Sequence, residues 1–132
     1  MSHPCDKSSV LIVDAEPSIV RLFKVKLSTA IPEVQIDTAA NGEEALHLFS
    51  EKHHRVLLMD LHMPVMDGRV AFGKIEQLCE SLNWEMPSVV FCTGFAPPES
   101  VKTVVAKNPA HCLLSKPVAG RALVDAVKSR LQ

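Results

Sequence analysis

Short apolar runs alternate with helically spaced stripes from one end of the chain to the other, and that alternation leaves few folds open. The runs are Val10 to Val13, Val56 to Met59, Val89 to Cys92 and Cys112 to Leu114. Each is too short for a helix and continuous rather than alternating, which is the pattern of a strand buried on both faces of a parallel sheet. Val34, Ile36 and Thr38 alternate with polar neighbours instead and predict a half-exposed edge strand. Between the runs lie helical stripes. Ile19, Leu22 and Phe23 form the first, extended by Val20 and Leu27. Ala45, Leu48 and Phe49, widened by Leu46, form the second, and Ile75, Leu78, Cys79 and Leu82 the third. Val101, Val104 and Val105 mark a shorter fourth helix, and Leu123, Val127 and Leu131 the last. Asn41-Gly42 reads as a turn before the second helix, and Pro98 and Pro117 stand near helix starts, where proline is tolerated. The order is β-α repeated five times, which requires right-handed crossovers and an open, doubly wound α/β sheet with helices on both faces.

At 132 residues the chain is expected to be one domain over 9–132, preceded by a flexible segment at 1–8. Charged residues make up 22% and the net charge is −1, with no basic footprint, which argues against direct nucleic-acid binding. Cys5, Cys79, Cys92 and Cys112 stand far apart without a Cys-x-x-Cys pair, so they read as small buried hydrophobes in a reducing compartment. The start of the chain is polar and lacks the apolar stretch of a signal peptide. No apolar run approaches the ~20 residues that a bilayer demands. A cytoplasmic protein without a membrane span is the expectation. The histidines show no zinc spacing: His3 falls in the loose start, and His53-His54 read as surface residues closing the second helix. Met59, Met63 and Met66 read as packing or loop residues.

In an open parallel sheet the ligand site lies beyond the carboxyl ends of the strands, near the reversal of strand order. The residues closing the strands are therefore the informative ones. The first ends in Asp14, followed by Ala15, Glu16 and Pro17, and the third in Asp60, followed by Leu61 to Gly68. The fourth ends in Thr93-Gly94 and the fifth in Ser115-Lys116-Pro117. Two acids, a hydroxyl and a lysine thus converge on one edge. Adjacent carboxylates need a cation or proton between them. Magnesium suits such a site, because it accepts one or two carboxylates and phosphate oxygens. A carboxylate can also attack phosphorus to give an aspartyl-phosphate, a transfer that depends on positioning and on neutralised oxygens. Singly, each residue has an ordinary use: Asp14 as a helix cap, Thr93 as a strand former, Lys116 as a solvated charge and Asp67-Gly68 as a turn.

Taken in order, Val10-Leu-Ile-Val-Asp14-Ala-Glu16-Pro17, Leu57-Leu-Met-Asp60-Leu-His-Met63-Pro64-Val-Met66-Asp67-Gly68, Phe91-Cys-Thr93-Gly94 and Leu114-Ser-Lys116-Pro117 resemble the motifs of response-regulator receiver domains over nearly the whole chain. The resemblance implies a single flavodoxin-like domain, a five-stranded parallel sheet of order 2-1-3-4-5 flanked by five helices. It implies a phosphorelay switch rather than an enzyme on other substrates. Asp60 would take a phosphoryl group from a histidine kinase or histidine phosphotransfer protein. Asp14, Asp60 and the main-chain carbonyl of His62 would hold Mg²⁺, with Glu16 as a further candidate. Thr93 and Lys116 would bind the phosphoryl oxygens, and the Lys116-Pro117 peptide would be cis. The switched surface, near the fourth helix and fifth strand, would be read by a downstream protein or output domain and is the candidate homodimer face.

Two positions depart from the family pattern. Ala15 stands where a second metal-binding acid is usual, so a weakened Mg²⁺ site is expected. The alternative it opens is a degenerate receiver that binds partners without phosphorylation. Leu113 stands at the switch position usually held by Tyr or Phe, with Phe95 and His111 as candidate stand-ins. Other classes fit poorly. Asp14-Ala-Glu16 would repel the phosphate of a flavodoxin cofactor. Asp60-Leu61-His62 is not the Asp-x-Asp of a dehalogenase-type phosphatase.

Overall fold

The computed structural model describes residues 8–131, so all but Ser8 of the expected 1–8 segment, including Cys5 and His3, lies outside the described residues. The elements follow the expected order: β1 (Ser9–Val13), α1 (Pro17–Ala30), β2 (Gln35–Ala39), α2 (Gly42–Lys52), β3 (Val56–Asp60), α3 (Gly68–Leu82), β4 (Ser88–Thr93), α4 (Glu99–Lys107), β5 (Cys112–Ser115) and α5 (Gly120–Leu131). The strands form one sheet of order β2-β1-β3-β4-β5, parallel throughout.

Strand alternation divides the apolar runs between two cores. Val10, Ile12, Val56, Leu58, Val90 and Cys92 face α1 and α5, packing on Phe23, Leu27, Leu123 and Val127. Leu11, Val13, Leu57, Met59, Val89 and Phe91 face the opposite side and meet Ala45 and Phe49 of α2, Ala71, Phe72 and Ile75 of α3 and Val101 of α4. β2 has one neighbour in the sheet and is the half-exposed edge that its alternation predicts.

Two stripe residues are not in the core. Leu22 is exposed because the buried face of α1 runs through Phe23 and Leu27, and Leu22 turns away from it; Leu82, at the last turn of α3, is exposed as well. The core face of α3 instead begins earlier, with Ala71 and Phe72, and the Phe72 ring lies 5.5 Å from Phe91. Asn41-Gly42 is the start of α2 rather than a separate turn: Asn41 caps the helix by accepting the Glu44 amide at 3.0 Å. Met59 is buried in β3, while Met63 and Met66 pack against the core from the loop between β3 and α3.

The clearest correction concerns His53 and His54, which are buried rather than on the surface. His53 closes α2 in the left-handed conformation, stacks on Trp84 at 4.2 Å and donates from Nε2 to the Glu85 carbonyl at 2.9 Å. His54 is fully enclosed, and its Nε2 lies 2.7 Å from Asp37 Oδ2. A carboxylate only accepts, so Nε2 carries the proton and Nδ1 is bare. That Nδ1 is buried without a partner among the described residues. The sequence shows two polar residues after a helix; the distant Trp84 stacks on the first, and Phe49 stacks on the second.

Burial pushes the His54 pKa below its ordinary 6.5, and the bond to Asp37 offsets only part of that. Burial does the same to His111, aided by nearby Arg130; its Nδ1 accepts the Val89 amide at 3.0 Å and so must be unprotonated. Both histidines therefore contribute stability above pH 6.5 that is lost as pH falls toward their lower native pKa values. Urea unfolding at about pH 7.5 and about pH 5.5 is expected to show lower stability at the acidic pH. The difference should shrink in His54→Gln, provided that this variant folds.

Candidate functional site

The strand order reverses between β1 and β3, so their carboxyl ends border the crevice where an open α/β sheet binds ligands. Asp60 closes β3 and Asp14 follows β1, and they are only 8% and 3% exposed. Burying two carboxylates side by side requires compensation. Lys116 provides it, with Nζ 2.8 Å from Asp14 Oδ2 and 3.4 Å from Asp60 Oδ2. Burial works against the charged ammonium, but the hydrogen bond and field of Asp14, joined by those of Asp60, outweigh it and raise the Lys116 pKa above its usual value. The other carboxylate oxygens accept main-chain amides: Asp14 Oδ1 from Glu16 at 2.9 Å and Asp60 Oδ1 from His62 at 3.2 Å.

Local backbone fixes these groups. Asp14 donates its amide to the Ala39 carbonyl at 3.1 Å, which ties the end of β1 to the end of β2. Lys116 donates its amide to the Thr93 carbonyl at 2.8 Å, which joins the ends of β4 and β5, and the Lys116-Pro117 peptide is cis as expected. Asp67 is not a turn residue but the N-cap of α3, accepting the Val70 amide at 2.9 Å. Gly68 then passes so close to β3 that a Cβ there would lie 2.3 Å from the Asp60 carbonyl oxygen. Sequence reasoning missed this role of Gly68; the Asp-Gly dipeptide was the available signal, but its approach to β3 is a tertiary fact.

The remaining candidates divide. Thr93 is buried at the end of β4, where its Oγ1 accepts the Phe95 amide at 3.2 Å rather than bonding to either carboxylate. Glu16 is exposed, and it meets the site through its amide on Asp14. The amide of His62 holds Asp60, while its imidazole lies edge-on to the exposed Phe95 ring at 4.8 Å. Leu113 pairs with Phe91 in the ladder and packs half-buried on the core below the site. His111 does not fit the stand-in role, because it precedes β5 at the opposite end of the strand and is fixed to Val89.

Among the described residues no three His, Cys, Asp or Glu side chains cluster for a metal. Two carboxylates do meet the needs of Mg²⁺, which keeps much of its water shell, so Asp14 and Asp60 fit that ion as a sparse donor set. The described residues also contain no helix long and apolar enough to cross a membrane.

The family model for the response regulator receiver domain matches residues 10–128. The chain is similar to a protein-glutamate methylesterase/protein-glutamine glutaminase of Desulfitobacterium hafniense, 29% identical over 143 residues, covering all of this chain and 35% of that protein. It thus spans about a third of that relative's length. The fold resembles the signal receiver domain of an HD domain-containing protein from Pseudomonas fluorescens, with a TM-score of 0.79, 22% identity and coverage of 96% and 95% of the two chains. It also resembles a Vibrio cholerae chemotaxis protein, with a TM-score of 0.74, 25% identity and coverage of 93% and 98%.

Gly68→Ala is expected to destabilise the fold by about 1–3 kcal/mol, because β3 backbone cannot give way as a side chain could. Gly73→Ala, where no atom lies within 4 Å of an added Cβ, is expected to be neutral or stabilising. Urea denaturation of the two variants beside the parent chain checks the contrast.

Proposed function

The chain belongs to the response-regulator receiver domain family, and on that premise we propose that it takes a phosphoryl group from a phosphohistidine donor onto Asp60. The observation that carries this reading is the carboxylate of Asp60 at the strand-order reversal, flanked by Asp14 and within 3.4 Å of the Lys116 ammonium. A carboxylate oxygen of Asp60 attacks phosphorus as the P–N bond of the donor breaks, and the departing imidazole keeps the bonding pair and takes a proton. Lys116 balances charge on the transferring oxygens, and the Thr93 hydroxyl can exchange its Phe95 contact for one of them. Asp14, Asp60 and the His62 carbonyl are the groups that would hold Mg²⁺, which supplies charge neutralisation when bound.

Ala15 lowers the anionic charge at this metal site, and affinity for a hard cation follows ligand charge. Lys116 already neutralises one of the two carboxylates, so a single uncompensated negative charge remains to attract a metal. These two features favour slow phosphorylation and supply the case for a second reading, a receiver that docks partners without phosphorylation. For the switch the partners are a histidine kinase or phosphotransfer protein and a downstream output protein, met in the cytoplasm; the docking module needs no phosphodonor. The face formed by α4 and β5, with Leu113 behind it, would carry the signal and could also pair two copies.

Intact-protein mass after incubation with Mg²⁺ and a small phosphodonor tests the proposal. One added phosphoryl group is expected in the parent chain, none in Asp60→Asn, and faster labelling in Ala15→Asp. Absence of labelling in every variant, with several donors, would replace the switch by the docking module.

A further inference from the structure

Leu22 and Val25 are 45% and 59% exposed on a helix whose buried face runs through Phe23 and Leu27. Leu22, Val25, Lys26 and Thr29 stand three and four residues apart, so they share one face of α1. That face leads into an open groove of roughly 450 Å³ between α1 and α5, where Val124 adds a further apolar side chain. Lys26 and Arg121 border the groove, and exposed Lys128 follows one turn after Val124. The one acid in the two helices is Asp125, 4.0 Å from Arg121. The surface is apolar with a positive border.

A corner of opposite character stands at the start of α2. There an open groove of roughly 580 Å³ is lined by Asn41, Glu43, Glu44, His47, Leu48 and Val65, with no lysine or arginine among them. Any charge on His47 is met by Glu51, 3.6 Å away. Val65 is 75% exposed at a φ of 68°, a conformation that a β-branched residue adopts only under constraint. The Met66 amide closes this turn on the Pro64 carbonyl at 2.7 Å, and the Met66 carbonyl holds the Gly42 amide at 3.1 Å. The backbone thus fixes an apolar side chain outward into water, beside two carboxylates.

α1 and α5 cover one side of the sheet and α2 the other, so one molecule cannot bring these two surfaces together. Two copies can. Like surfaces repel, whereas unlike ones match charge with charge and apolar side chain with apolar side chain. We propose that the Val65 corner of one copy docks into the α1–α5 groove of the next, so that the chain associates head to tail. Such a contact is heterologous, and growth stops only if the rotation between copies closes a ring. It differs from a pairing of two α4–β5 faces, which closes at two, and it needs no phosphoryl group.

Sedimentation velocity of the full chain, without phosphodonor, from micromolar to near-millimolar concentration tests this. The weight-average mass is expected to rise with concentration past that of a dimer. It should fall toward that of the monomer in roughly 1 M NaCl, where screening acts within about 3 Å. Lys26→Glu/Arg121→Glu and Val65→Lys, with the fold of each checked by circular dichroism, are each expected to stay monomeric. Mixed in equal amounts they should form a one-to-one pair and nothing larger, because each supplies the surface that the other has lost. A parent chain that stays monomeric throughout overturns the proposal. So does one that associates equally well in high salt, or that is indifferent to both variants, since its contact then lies elsewhere. Folded variants that are monomeric singly but do not pair when mixed disprove this docking as well.

Discussion

Two buried carboxylates at the ends of neighbouring strands repel one another unless a cation stands between them, and here Lys116 reaches across from beyond β5 to do so. The contact joins residues 102 positions apart in the chain, so it exists only when all the intervening crossovers have been made. Removing the ammonium would leave an uncompensated buried pair, the most costly way to break such an arrangement. The same residue ties the site to the fold, because the Lys116 main-chain amide bonds to the end of β4. Structure and chemistry at this edge share one residue.

The architecture was legible because its signals are local. Runs such as Val10-Leu-Ile-Val13 are apolar without interruption, as only doubly covered strands are, and the stripes between them have helical spacing. The placement of Asp14, Asp60, Thr93 and Lys116 came from strand ends alone. The features that the sequence hid depend on distant partners. The exposure of Leu22, the covering of His53 by Trp84, and the approach of Gly68 to the Asp60 carbonyl are set by elements that no short window contains. Asp67 reads as a turn residue for a related reason, since caps and turns use the same residue types and differ only in whether a helix comes next.

The two ends of the sheet solve the problem of polar burial differently. At the carboxyl edge charged groups compensate one another. At the opposite edge His54 and Asp37 form a neutral-to-anionic pair, with Lys52 at 3.1 Å on the second oxygen. Burial there works against the Asp37 carboxylate, yet the His54 and Lys52 bonds hold its pKa below the ordinary value. That cluster ties the edge strand β2 to the end of α2.

The thiols give the fold an internal gauge of its own opening. Cys92 lies in β4 on the face covered by α1 and α5, and burial, working against the relief from Lys116, pushes its pKa to about 12. Cys79, on the other face, is raised to about 11, again chiefly by burial. Only thiolates react quickly with alkylating reagents. In the closed protein both sulfurs react slowly, and labelling at either of them records an opening of the layer that covers it. Because the two cysteines sit on opposite faces, their relative rates would separate loosening of the α1–α5 layer from loosening of the layer formed by α2, α3 and α4.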